Sequence, residues 1–279
     1  MKRGLPELNK GFTIIETLIV LAIAGAMLFS ATLVIGGRQR NTEFSQGIRQ
    51  IQGQIQQTIN EVSNGYYASN ENIKCVTGSN GPVLSVAAKA RGTNDGCIFF
   101  GKAIQFGING TNPQEYNVYT VAGLQGSEDS ADATLAPIKP VLAAKSNNAA
   151  TSTFPDFYEN LNMPYGMTIS KVYYGSDPSV AAKQVGFIGF VSSIGNFGGG
   201  DISQQVNVLA IPGTQINQTK LNGVTDANTK LTTSIVNPTD GVRVCVNSGG
   251  TNQSGLFIIG GEGSGSAITL SIKGGKDCP

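Results

Sequence analysis

Residues 11–35 read GFTIIETLIVLAIAGAMLFSATLVI, and the rest of the chain is organised around them. A short basic segment precedes Gly11, and Glu16 is the single charge within the run. From Phe12 to Ile35 the apolar stretch covers 24 residues. At a rise of about 1.5 Å per residue a helix of that length spans roughly 36 Å, enough to cross a bilayer core of about 30 Å.

The helical pattern continues past the apolar run. Phe44, Ile48, Ile51, Ile55, Ile59 and Val62 recur at steps of three or four, which puts them on one face. Between them lie Gln46, Gln50, Gln52, Gln54, Gln56 and Gln57, good helix formers without charge. No proline occurs between Leu8 and Gly81, and Asn64-Gly65 supplies a stop signal. The spacing therefore predicts one rod over residues 12–64, about 80 Å long. Residues 12–35 form its membrane part and residues 38–64 its amphipathic part.

After Tyr66 the pattern changes to β. Strands are expected at Val83–Ala88, Cys97–Phe106, Glu115–Val121, Met167–Tyr174, Gln184–Ile194, Gln205–Ile211, Gly241–Asn247, Leu256–Ile259 and Ala267–Lys273. Asn222-Gly223 and Asp240-Gly241 are turn signals. Residues 124–164 carry Glu128, Asp129 and Asp132, then an Ala- and Pro-rich stretch without a clean period, and read as a long surface excursion. The economical assembly is α+β: a long helix packed on an antiparallel sheet within an exported domain, residues 65–279.

Composition narrows the function. Charged residues make up 13% of the chain, against about 25% in an ordinary domain, while Gly is abundant at 37 residues. Residues 1–11 carry a net charge of +2, and the remainder is close to neutral. A near-neutral domain has no basic face for nucleic acid, so no nucleic-acid partner is expected. Histidine is absent, which removes imidazole bases, Ser-His-Asp and Cys-His sites and His zinc ligands. No enzyme, metal site or cofactor is expected.

Cys75, Cys97, Cys245 and Cys278 form an even set without CxxC spacing, which after a membrane-targeting segment reads as a disulfide framework. Three connectivities are open. The sequence-local one, Cys75–Cys97 with Cys245–Cys278, closes the shortest loops, each worth about 3–4 kcal/mol in the chain-entropy account. Four buried free thiols are the alternative.

Two ordinary readings of the N-terminus compete with a specialised one. Ala22-Ile23-Ala24 resembles a signal-peptide cleavage site, but the apolar run continues well past it. Neither a disposable signal nor a plain anchor explains Glu16, since a carboxylate inside hydrocarbon costs about 2.5–3.5 kcal/mol on insertion scales. The stretch Gly11-Phe12-Thr13-Ile14-Ile15-Glu16 resembles the cleavage and methylation motif of type IV prepilins, and the likeness runs on along the apolar helix through Gly25. It covers roughly residues 1–40. The resemblance implies a leader, residues 1–11, cut between Gly11 and Phe12 by a prepilin peptidase, followed by N-methylation of Phe12. It further implies that Glu16 meets the cationic N-terminus of a neighbouring subunit during filament assembly. Where many type IVa pilins have a helix-kinking proline, this chain has Leu33, and Gly36-Gly37 offers flexibility instead.

The resemblance implies a pilin-like αβ-roll and a structural role: a subunit, most simply a minor pilin, of a type IV pilus-like filament. Its partners would be prepilin peptidase, other pilin subunits, an inner-membrane assembly platform and membrane lipid. The chain would sit as a single-pass membrane protein with its leader cytoplasmic, then in a pilus at the cell surface or a periplasmic pseudopilus. A pseudopilin of a type II secretion or competence system and a filament-borne adhesin or ligand receptor are the alternatives. Gly261-Glu262-Gly263-Ser264-Gly265 lacks the Walker lysine and reads as a hairpin turn.

Overall fold

The structure, a computed structural model, describes residues 13–65, 73–78, 81–86, 97–107, 113–124, 140–142, 158–175, 184–192, 206–212, 236–261, 267–275 and 278. Residues 33–38, 73–78, 81–86, 97–98, 123–124, 140–142 and 158 are described by their backbone alone.

One helix, α1 (Ile14–Ser63), dominates the molecule. Its 50 residues make it about 75 Å long. It stays α-helical through Gly36-Gly37. At its end Asn64 caps the last turn, and Gly65 takes the left-handed conformation at φ +62°. Along the helix, Gln39 donates to Glu43, Gln56 to Asn60 and Gln57 to Glu61 at 2.9–3.2 Å, the four-residue spacing that stacks side chains along a helix.

Twelve strands follow among the described residues: β1 (Ile73–Gly78), β2 (Gly81–Val86), β3 (Cys97–Phe106), β4 (Glu115–Leu124), β5 (Pro140–Leu142), β6 (Tyr158–Asn162), β7 (Thr168–Tyr174), β8 (Val185–Ser192), β9 (Val206–Pro212), β10 (Val242–Asn247), β11 (Gln253–Ile259) and β12 (Ile268–Gly274). Every pairing is antiparallel. β1 and β2 form a hairpin of their own. β5-β4-β3-β8-β9 form one sheet, with β6 sharing the outer edge of β4 with β5. β12-β11-β10-β7 form the other large sheet. The two large sheets approach one another where Tyr173 in β7 bridges Gln184 just ahead of β8.

The α+β layout thus stands, but the single sheet expected from the sequence is in fact two large sheets and a separate hairpin. β1, β5 and β6 are strands that the sequence pattern did not announce. Two of them lie within residues 124–164, so part of that excursion returns to pair with β4. β6 (YENLN) is an edge strand with one core-directed apolar side chain, Leu161, so it carries no alternating signal. β5 is three residues long, too short for any period.

Both large sheets lay one face on α1. Ile104, Phe106, Tyr116, Val118, Ile188 and Phe190 come from one sheet, and Val242, Val244, Val246, Phe257 and Ile259 from the other. Against them the helix buries Phe44, Ile48, Ile51, Ile55, Ile59 and Val62, each at most 2% exposed. The fit is close. A Cβ on Gly255 would stand 1.9 Å from Cδ1 of Ile48, so a side chain there would push the end of the Ile48 side chain aside.

Polar contacts fix the helix over the sheet. The Lys102 ammonium on β3 pairs with the Glu61 carboxylate, and the Tyr116 hydroxyl donates to Oε1 of Gln54. Both lie among buried apolar side chains, where an unpaired partner would be costly. Burial pushes the Tyr116 phenol well above its usual range, and the Glu159 carboxylate adds to the shift.

A raised phenol pKa means that the folded chain holds a proton which the unfolded chain gives up above pH ~10. The contribution of Tyr116 is therefore complete below that pH and declines as pH rises beyond it. Tyr116→Phe should cost about 1 kcal/mol at neutral pH, by stranding Gln54, and should flatten the alkaline decline. Urea unfolding of the detergent-solubilised chain at neutral and alkaline pH, followed by circular dichroism, measures both.

Candidate functional site

The functional candidate is the first half of α1. Between Ile14 and Thr32 lie 19 residues, long and apolar enough to cross a membrane, and none of them is buried against the rest of the chain. Ile14 is 81% exposed, Leu28 71% and Phe29 67%. An isolated row of large apolar side chains on that scale does not stay in water, because each would gain about 1.5–3 kcal/mol by leaving it.

The polar atoms of this half are nearly all satisfied within it. The hydroxyls of Thr17, Ser30 and Thr32 donate back to the carbonyls of Ile14, Ala26 and Phe29, each at 2.8 Å. Such back-bonding suits a surrounding that offers no water. Glu16 is the exception. Thr13 is the N-cap, its Oγ1 accepting from the Glu16 amide at 3.3 Å. In return Oε2 of Glu16 accepts from the Thr13 amide at 3.3 Å and its hydroxyl at 3.4 Å, completing a capping box. The other oxygen, Oε1, has no hydrogen bond among the described residues.

The role of Thr13 was open to sequence reading. Thr-x-x-Glu directly before an apolar run is a helix-start signature, and here the signature forms. Glu16 thus has a partner inside its own chain, which the reading from charge alone did not include. A cap of this kind is worth about 1 kcal/mol, and the helix dipole adds about 0.3–1 kcal/mol for an anion in the first turn. Glutamine completes a capping box as well as glutamate. The cap explains an oxygen at this position; it does not explain a charge.

Of the other expected site residues, Gly11 and Phe12 lie outside the described residues. Cys245 on β10 and Cys278 near the C-terminus are joined in a disulfide with a Cα–Cα distance of 5.8 Å. Its sulfurs pack with Tyr173 and Leu256, so the bridge holds the chain end against the face of the sheet turned away from α1. Cys75 stands on β1 opposite Leu84, and Cys97 opens β3 opposite Leu124. Their side chains lie outside the description. Glu128, Asp129 and Asp132 also lie outside it, and among the described residues no group of three or more acidic or thiol ligands converges as a metal site would. Gly261 falls in the connection between β11 and β12, which pair as a hairpin.

Comparison with models of protein families, with curated proteins and with solved structures finds no match to this chain.

The two halves of α1 should respond differently to truncation. Ile51→Ala empties a fully buried position and should lower unfolding stability by about 2–5 kcal/mol. Leu28→Ala, on the external half, should leave it unchanged within about 0.5 kcal/mol. Tyrosine fluorescence during denaturant unfolding in detergent reads both variants.

Proposed function

We propose that this chain is a type IV pilin-like structural subunit, most simply a minor pilin. Prepilin peptidase cuts it between Gly11 and Phe12, Phe12 is N-methylated, and the chain assembles through the apolar half of α1. The domain serves as an αβ-roll carried on that helix. Before assembly the same half holds the protein in the inner membrane, with the leader on the cytoplasmic side. An assembly platform then transfers it into a filament of like helices.

One observation carries the reading: every residue from Ile14 to Thr32 is left outside the domain core, while the second half of the same helix buries an apolar stripe in it. A bilayer satisfies the apolar half in the membrane, and a bundle of identical helices satisfies it in a filament. Glu16 fits the same reading. Among the described residues its Oε1 has no hydrogen bond, so the carboxylate keeps an acceptor and a charge for a partner outside its own helix. The new amino group at Phe12 is the kind of cation that a neighbouring subunit would bring to it. Such a pair sets axial register as a buried polar residue does in a coiled coil.

Glu16→Gln separates the two roles of this side chain, because it keeps the cap and removes the charge. Leader cleavage and membrane insertion should be unaffected. Incorporation into sheared filaments, measured by immunoblot against the membrane pool, should fall at least tenfold, the equivalent of about 1.4 kcal/mol per contact. Normal incorporation would mean that the carboxylate acts only as a cap.

A further inference from the structure

Where α1 leaves the domain, a second feature appears that assembly does not use. A polar pocket of about 320 Å³ opens there between α1, the turn Pro164–Gly166 and the loop after β10. Arg40 and Glu43 line it from the helix, Tyr165 from the turn, and Ser248, Gly249 and Gly250 from the loop. Its walls are held firmly. Ser248 Oγ accepts from the amides of Gly250 and Thr251 at 3.3 and 3.1 Å, and Arg40 donates to the Gly250 carbonyl at 3.4 Å. Tyr165 adopts φ +53°, the one non-glycine residue with positive φ among those described. A bulky residue held there stores strain of the order of 1–3 kcal/mol. Its ring lies against α1 at Gly47, where a Cβ would come within 2.9 Å of it, and its hydroxyl reaches toward Gln46 at 3.5 Å.

The pocket holds one cation and one anion that do not neutralise each other: among the described residues neither Arg40 nor Glu43 makes an ion pair. Their order along the helix matters. Arg40 lies five residues beyond Ile35, the end of the apolar run, or about 7–8 Å, while the headgroup layer extends about 5–8 Å beyond the hydrocarbon. Glu43 stands nearly one turn farther out. From the bilayer outward, the sequence is hydrocarbon, the cations Arg38 and Arg40, then the anion Glu43, with an exposed tyrosine at the rim, the aromatic that membrane interfaces favour.

We propose that this pocket binds the headgroup of phosphatidylethanolamine. The phosphate, nearest the acyl chains, meets the Arg40 guanidinium, and the ammonium beyond it donates to the Glu43 carboxylate. A purely anionic headgroup would leave Glu43 opposed, and a trimethylated ammonium has no proton to donate to it. The inference rests on the reading that α1 spans the bilayer in the unassembled protein.

The test uses the full chain in nanodiscs of equimolar phosphatidylethanolamine, phosphatidylglycerol and phosphatidylcholine, released for native mass spectrometry with its retained lipids. Phosphatidylethanolamine should be retained about tenfold over either competitor, the effect of one charge-assisted hydrogen bond. Glu43→Gln should abolish that preference, and Arg40→Gln should abolish retention of all three lipids. Equal retention, a preference for phosphatidylglycerol, or a preference unchanged in both variants overturns the proposal. Alkaline carbonate extraction of the same samples reads the membrane span separately. An extractable chain refutes the span and the lipid site together, whereas an embedded chain without lipid preference refutes the site alone.

Discussion

The architecture depends on how one helix divides its apolar surface. From Phe44 to Val62 a single stripe is consumed by the two large sheets, and from Ile14 to Thr32 nothing among the described residues covers the helix. The two regions are continuous in secondary structure and opposite in their demands. The lower stripe is narrow, flanked by glutamines, and fits an interface on one side. The upper region is apolar around its whole circumference, which only a bilayer or several neighbouring helices can satisfy.

Attachment of the domain to the helix is therefore a rigid joint. The stripe supplies most of the stabilisation, since each buried isoleucine contributes about 1.5–3 kcal/mol by leaving water. The Lys102–Glu61 and Tyr116–Gln54 pairs add little net energy, but losing one partner of either would leave a desolvated polar group. They act mainly against sliding, because a one-turn shift of α1 would break both at once. Gly255 leaves room for the Ile48 side chain in that same register.

Much of this was legible in the residues. Each member of the Phe44–Val62 stripe is buried as its spacing implied, because a 3.6-residue period is readable wherever one face meets a core. β3 was legible to the residue, and β7 to β12 to within a few residues, because their Val, Ile and Phe runs are bounded by turns. The division into two sheets was not legible, since alternation tells which face a residue takes and not which strands are neighbours. β6 escaped notice because its polar side chains at a sheet edge need no pattern. At the N-terminus the charge of Glu16 was read and its cap was not. The Thr-x-x-Glu signature at Thr13 is present in the sequence, and it makes Glu16 an acceptor as well as a charge. With the cap in place, Glu16 alone no longer separates an assembly helix from an anchor, and the burden passes to the processing of the chain itself.

That processing is open to a direct measurement: the N-terminal residue of the protein extracted from membranes, by peptide mass spectrometry. The account predicts a mature chain that begins at N-methylated Phe12. A chain that begins at Gly25, or one that retains residues 1–11, would contradict it.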